Sequence, residues 1–268
     1  MRILKIFCMA FSTYSRIPMP QVKWEEKNAD YVICFYPLVG LVVGISEAAW
    51  LKVAWMKEIS FVVTALIMIA IPILLTGGIH LDGLIDTADA RHSYLPKEEK
   101  LRILKDPHVG AFGVIRLLLY LILVLAGLQL VTGRTAADAL TERSSARLSV
   151  TVFTVLIPFW SRIMCAYTSV WFPKAKRDGM LQSVTGGKRK IQTAILSVWA
   201  VLCVAIPFLL LPYPMEWARL AILIVADLVL IAWYHRMAIK EFGGVTGDLA
   251  GWLLCMLEAV GVMILVII

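Results

Sequence analysis

An all-α, polytopic integral membrane helical bundle is what the composition and patterning of this chain predict. Sixty per cent of the 268 residues are hydrophobic and the mean hydropathy is +0.81, which excludes an ordinary water-soluble domain. The apolar residues fall into stretches long enough to cross a bilayer, near 31–51, 59–80, 111–131, 148–170, 191–211, 216–239 and 249–268. About seven transmembrane helices are therefore expected. The cations supply the orientation. Eighteen lysines and arginines lie in the N-terminal arm and in alternate loops, against six in the remaining loops. The positive-inside rule then puts the N-terminus in the cytoplasm and the C-terminus outside. The net charge of +7 follows these loops and does not imply a nucleic-acid partner.

Residues 1–30 read as a cytoplasmic, partly interfacial arm. The apolar run from Ile3 to Phe11 is short, contains Lys5 and leads into Tyr14-Ser15-Arg16 rather than a small-residue cleavage site. The second stretch ends at Gly77-Gly78 and runs into an acidic segment. Between the second and third stretches, Leu95-Pro96 opens a short amphipathic helix that presents Leu101 and Leu104 among charges. Pro158 and Pro207 kink the fourth and fifth spans rather than end them. Cys8, Cys34, Cys165, Cys203 and Cys255 are scattered without a CxxC pair and read as small buried hydrophobes. No loop is long enough or Pro/Ser-rich enough to tether a second unit, so residues 1–268 form one domain.

Chemistry concentrates at the end of the second stretch. In Gly77-Gly78-Ile79-His80-Leu81-Asp82-Gly83-Leu84-Ile85-Asp86-Thr87-Ala88-Asp89, helical geometry puts Asp86 about 40° around the axis from Asp82 and Asp89 about 20° the other way. All three acids share one stripe. Crowded carboxylates repel one another unless a hard divalent cation such as Mg²⁺ holds them ionised. The plain alternative is a helix start at which acids complement the macrodipole. A fourth acid, Asp106, follows Lys105 and precedes His108, Gly110 and Gly113. That segment is placed to fold back on the stripe, with Lys105 and backbone N–H groups for phosphate oxygens. The alternative there is an ordinary turn with an acid before proline.

Four further acids, Glu47, Asp227, Asp248 and Glu258, lie in or beside the apolar stretches together with Arg162. Arg162 falls mid-segment, where an unpaired guanidinium is costly; it is either a phosphate or carboxylate binder or one half of an ion pair with Glu47 or Asp227. Asp248 and Glu258 are expected to border one cavity, being about 80° apart around the last helix. Thr246 reads as a cap. The histidines lack ligand spacing, so zinc is not expected.

These motifs resemble the cobalamin 5′-phosphate synthases, the adenosylcobinamide-GDP ribazoletransferases. The resemblance rests on Thr13, Arg16, Pro18 and Pro20, on Pro37 and Gly40, on Gly77-Gly78-x-His80-Leu81-Asp82-Gly83-x-x-Asp86-x-x-Asp89, on Asp106 with Gly110 and Gly113, on Ser161-Arg162, and on Gly243-Gly244-x-Thr246-Gly247-Asp248 with Glu258. The chain departs from that pattern at Ala90, where a glycine is usual, and at Lys105-Asp106-Pro107, where Arg-Asp-Ser is usual. The resemblance implies a multi-pass bacterial inner-membrane transferase with its site facing the cytoplasm. Its substrates would be adenosylcobinamide-GDP and α-ribazole or α-ribazole 5′-phosphate, with GMP released, Mg²⁺ as cofactor, membrane lipid as surroundings and a homo-oligomer left open. On that reading Asp82, Asp86, Asp89 and Asp106 are catalytic and metal-binding, with Asp106 completing the cage or taking the hydroxyl proton. His80, Gly83, Lys105, Arg162, Asp248 and Glu258 would bind substrate. A CDP-alcohol phosphotransferase differs in acid spacing, and a secondary transporter would put its acids near the bilayer midplane.

Overall fold

The computed structural model describes residues 2–139, 144–175 and 179–267. Among them every regular element is a helix, apart from one isolated parallel bridge between Lys174 and Val245. The arm forms α1 (Arg2–Tyr14) and α2 (Glu26–Ala29), and α1 buries Ile6, Met9 and Ala10. The arm is not loose: the amide of Arg16 donates to Leu75 O at 2.7 Å, which ties it to the second apolar stretch.

The long helices are α3 (Val32–Met56), α7 (Ala111–Ala139), α8 (Ser144–Trp171), α10 (Arg189–Leu210), α11 (Pro214–Phe242) and α12 (Gly247–Ile267); α6 (Lys97–Ile103) and α9 (Met180–Thr185) are short connectors. Pro158 and Pro207 do lie inside α8 and α10. The core gathers around α8, whose Phe153, Ile157, Ile163 and Ala166 are buried by neighbours. Gly40 of α3 faces the carbonyl of Pro158, and Gly44 lies against the backbone of Val155. Small residues let two helices approach closely where hydrophobic burial cannot drive association.

Among the described residues, five helices are long and apolar enough to cross a bilayer (α3, α7, α8, α10 and α12), or six spans if the pair α4 (Phe61–Thr76) and α5 (Ile79–His92) counts as one broken span. That is fewer than the seven expected. The second stretch does not continue straight, because Gly77 and Gly78 both adopt left-handed backbone, φ +69° and +76°. Only glycine enters that conformation readily, so two in succession end α4 and turn the chain by 94° into α5. The sixth stretch lies in α11, whose apolar run is interrupted by Arg219, Asp227 and Arg236.

Candidate active site at the helix bend

The bend takes α5, which is not among those five helices, out of the line of α4 and packs it against α12 and the start of α7. Gly83 permits the first contact: a Cβ there would stand 2.5 Å from the carbonyl oxygen of Asp248. The second contact is made by an acid. Asp89 accepts the amide of Gly110 on Oδ2 and that of Gly113 on Oδ1, both at 2.8 Å, and so satisfies N–H groups that the first turn of α7 would leave unpaired. The segment after α6 thus folds back on the acidic stripe, as its glycines suggested.

Asp82 is exposed, and Asp86 and Asp89 are half-buried. The carboxyl of Asp86 is pushed up to about 7, first by burial and then by the neighbouring charges of Asp82, Asp248 and Asp89. Asp248, expected at a separate substrate pocket, is therefore the fourth acid that the fold brings to the stripe. Asp106 stands apart in solvent. Its Oδ1 accepts the amide of His108 at 3.0 Å and lies 2.7 Å from His108 Nδ1, and these bonds hold its carboxyl below the usual range.

Among the described residues, no three His, Cys, Asp or Glu side chains converge into a ready-made metal cage. Mg²⁺ does not require one. It keeps much of its water and is commonly held by one or two carboxylates together with substrate phosphates. Asp82 and Asp86 offer the oxygen donors that such an ion takes, with Asp248 beside them, and the Asp86 carboxyl, raised first by burial and then by the neighbouring charges, is one that a cation would bring down.

Beside Asp248 a pocket of about 310 Å³ is lined by Lys105, Lys174, Gln182 and Thr246. Lys105 lies where a phosphate-binding cation was expected. Lys174 was not anticipated, because nothing in a loop of several lysines marks the one that turns inward.

The remaining expected residues lie elsewhere. His80 is buried on the opposite face of α5, with Nε2 2.7 Å from the hydroxyl of Tyr36. Arg162 is 1% exposed and donates through Nη1 to Glu258 Oε1 at 2.8 Å and to Pro158 O at 2.9 Å. Its ion-pair partner is thus Glu258, neither Glu47 nor Asp227; the latter accepts the indole N–H of Trp160 at 2.9 Å. His80, Arg162, Glu258 and Glu47 line a second, largely apolar cavity, separate from the pocket that Asp248 lines. The expectation of a shared cavity for Asp248 and Glu258 is corrected. Ten residues of helix rise about 15 Å, which outweighs their angular proximity.

A third cluster supports the site from below. Glu241, at the end of α11, binds Lys100 of α6 at 2.9 Å and Arg91 of α5 at 3.2 Å. Burial alone would raise the Glu241 carboxyl, but hydrogen bonds from Lys100 and Arg91 outweigh it and hold the group low.

Fold and site together define an all-helical, polytopic membrane protein with a cluster of carboxylates and lysines at a sharp helix bend. Comparison with known proteins gives the family. The family model described as cobalamin-5-phosphate synthase matches residues 6–266. The chain is 33% identical over 267 residues to an adenosylcobinamide-GDP ribazoletransferase of Lachnoclostridium phytofermentans, covering 100% of this chain and 95% of that protein. It is similar to a protein of the same name from Clostridium perfringens strain SM101, 31% identical over 98% of each chain. A third relative of that name, from Desulfitobacterium hafniense, is 32% identical over 91% of this chain and 89% of its own length. No solved structure matches. The chain belongs to the cobalamin-5-phosphate synthase family.

Proposed function

We propose that the protein joins adenosylcobinamide-GDP to α-ribazole or its 5′-phosphate and releases GMP, at a site on the cytoplasmic side of the inner membrane. The observation that carries this reading is the convergence of Asp82, Asp86, Asp89 and Asp248 beside the two lysines, in a chain of this family. A ribose 3′-hydroxyl attacks the cobinamide-side phosphorus; a new P–O bond forms there and the bridging P–O bond to GMP breaks. Asp82, Asp86 and Asp248 would hold Mg²⁺, which supplies neutralisation of the diphosphate and of the departing GMP when bound. Asp89 fixes α5 against α7 and so sets the height of the other acids. Lys105 steadies phosphate oxygens through a charge-assisted contact. The hydroxyl proton leaves to solvent water as the new bond forms, while exposed Asp106, bonded to His108, shapes the turn that leads to Gly110.

The test is GMP release by the purified chain in proteoliposomes, with adenosylcobinamide-GDP, α-ribazole and Mg²⁺. Release is expected only when all three are present. Release that ignores the acceptor, or none at all from folded protein, would overturn the reading.

A further inference from the structure

The pocket beside Asp248 is built from segments far apart in the chain. The loop after α8 is clipped to the turn before α12: the amide of Val245 donates to Pro173 O at 2.8 Å, and that of Ala175 donates to Val245 O at 3.1 Å. Gly244 permits this approach, since a Cβ there would stand 2.5 Å from the backbone of Lys174 and Ala175. The clip fixes Lys174 on the pocket wall. Its ammonium donates to the carbonyls of Ser169 and Phe172, so it also closes the C-terminal end of α8. A surface lysine sweeps a wide volume; this one is half-buried and held.

Lys105 reaches the same wall from the segment after α6, and α12, twenty-one residues long, opens on it at Gly247. Among the described residues that line the pocket, the charged ones are Lys105, Lys174 and Asp248, which sum to +1. The helix N-terminus adds partial positive charge. A volume of about 310 Å³ lies at the lower end of the range for small-ligand sites. Burial, and then the nearby charge of Arg189, draw the Lys174 ammonium down to about 8, and an anion in the pocket would raise it again.

We propose that Lys174, together with Lys105, forms a phosphate-binding subsite that anchors a phosphoryl group of a substrate beside the acidic stripe. The inference rests on the reading of the chain as a phosphoryl-group transferase. Two sources share this chemistry, the diphosphate of the nucleotide-activated donor and a 5′-phosphate on the acceptor nucleoside.

Lys174→Met and Lys174→Arg are compared with wild type in proteoliposomes, each with free and with 5′-phosphorylated acceptor. Lys174→Met is expected to raise one KM roughly 10- to 100-fold, as befits one lost hydrogen bond to a charged group, with kcat nearly unchanged. Lys174→Arg is expected to restore most of the loss. A rise confined to the phosphorylated acceptor assigns the subsite to the acceptor; an equal rise in the donor's KM with either acceptor assigns it to the donor's diphosphate. Unchanged KM values, or a fall in kcat alone that tracks lost thermal stability, overturn the proposal and leave Lys174 as a cap on α8. Pyrophosphate supplies a readout free of turnover. It should raise the melting temperature of wild type and leave that of folded Lys174→Met unmoved, even if wild type releases no GMP; equal shifts in both would overturn the subsite.

Discussion

The Arg162–Glu258 pair and the acidic stripe of α5 handle charge in opposite ways. Inside the bundle, a guanidinium buried to 1% exposure meets one carboxylate at 2.8 Å, and of two further acids Glu47 of α3 lines the cavity and Asp227 of α11 accepts an indole N–H. On α5, Asp82, Asp86 and Asp89 crowd together with Asp248 of α12 beside them; Asp82 lies open to water, and burial followed by the neighbouring charges raises the Asp86 carboxyl. Settled charge holds helices together. Unsettled charge is what a cationic cofactor or a polyanionic substrate can use. An ionisable residue in an apolar stretch is therefore not by itself a sign of chemistry in this fold.

The largest expected effect tests the buried half of this contrast. Arg162→Met strands Glu258 in the bundle and should destabilise the protein by about 3–5 kcal/mol. Replacing both, with Glu258→Leu, should recover most of that in a thermal unfolding series in detergent. A double variant that folds like wild type yet releases no GMP would break the contrast and place the pair in the chemistry. Next comes the open half: Asp82→Asn should lower turnover roughly 100-fold or more, the cost of removing one preorganised electrostatic contact. Melting temperature should hold or rise as repulsion falls. Partial rescue by excess Mg²⁺ would sharpen the assignment of Asp82 as a ligand, whereas unchanged metal dependence would argue for proton transfer.

Gly83→Ala probes the seam between α5 and α12. With a Cβ aimed at the Asp248 carbonyl, it should cost about 1–3 kcal/mol, typical of overpacking, and reduce turnover by displacing the stripe. Full activity would show that the two helices are free to part. The smallest effect concerns Glu241. Its carboxyl is held below the ordinary value of 4.5, so its ion pairs stabilise the fold above that pH and lose their effect as pH falls through the lowered value. Wild type should exceed Glu241→Gln by about 0.5–1 kcal/mol near neutral pH, the usual scale for partly exposed pairs. The gap should close in acid. A gap that persists at low pH would assign the effect to packing.

Much of this was legible in the chain. All seven apolar stretches fall on helices, because length and hydropathy are local properties. The stripe of Asp82, Asp86 and Asp89 was legible from helical periodicity, and Gly110 and Gly113 announced a close approach. The right-angle turn was only half legible: Gly77-Gly78 marked a break without giving its direction. Partners were not legible. Glu47 and Asp227 were the partners expected for Arg162, and only the packing of α8 on α12 selects Glu258 instead. Asp248 joins the stripe where Asp106 was expected, because α12 meets α5 at Gly83, while Asp106 lies exposed in solvent. Lys174 gave no local signal at all; its distinction comes from a clip to Val245, seventy-one positions on.

The brevity of α4 has a consequence of its own. Sixteen helical residues extend about 24 Å, less than the roughly 30 Å hydrocarbon thickness of a typical bilayer. Because α5 leaves α4 at a right angle, any strain from that mismatch is delivered to the platform bearing the carboxylates. Turnover compared in short-chain and long-chain phospholipid vesicles is therefore expected to differ, and equal turnover would show that the bend absorbs the mismatch.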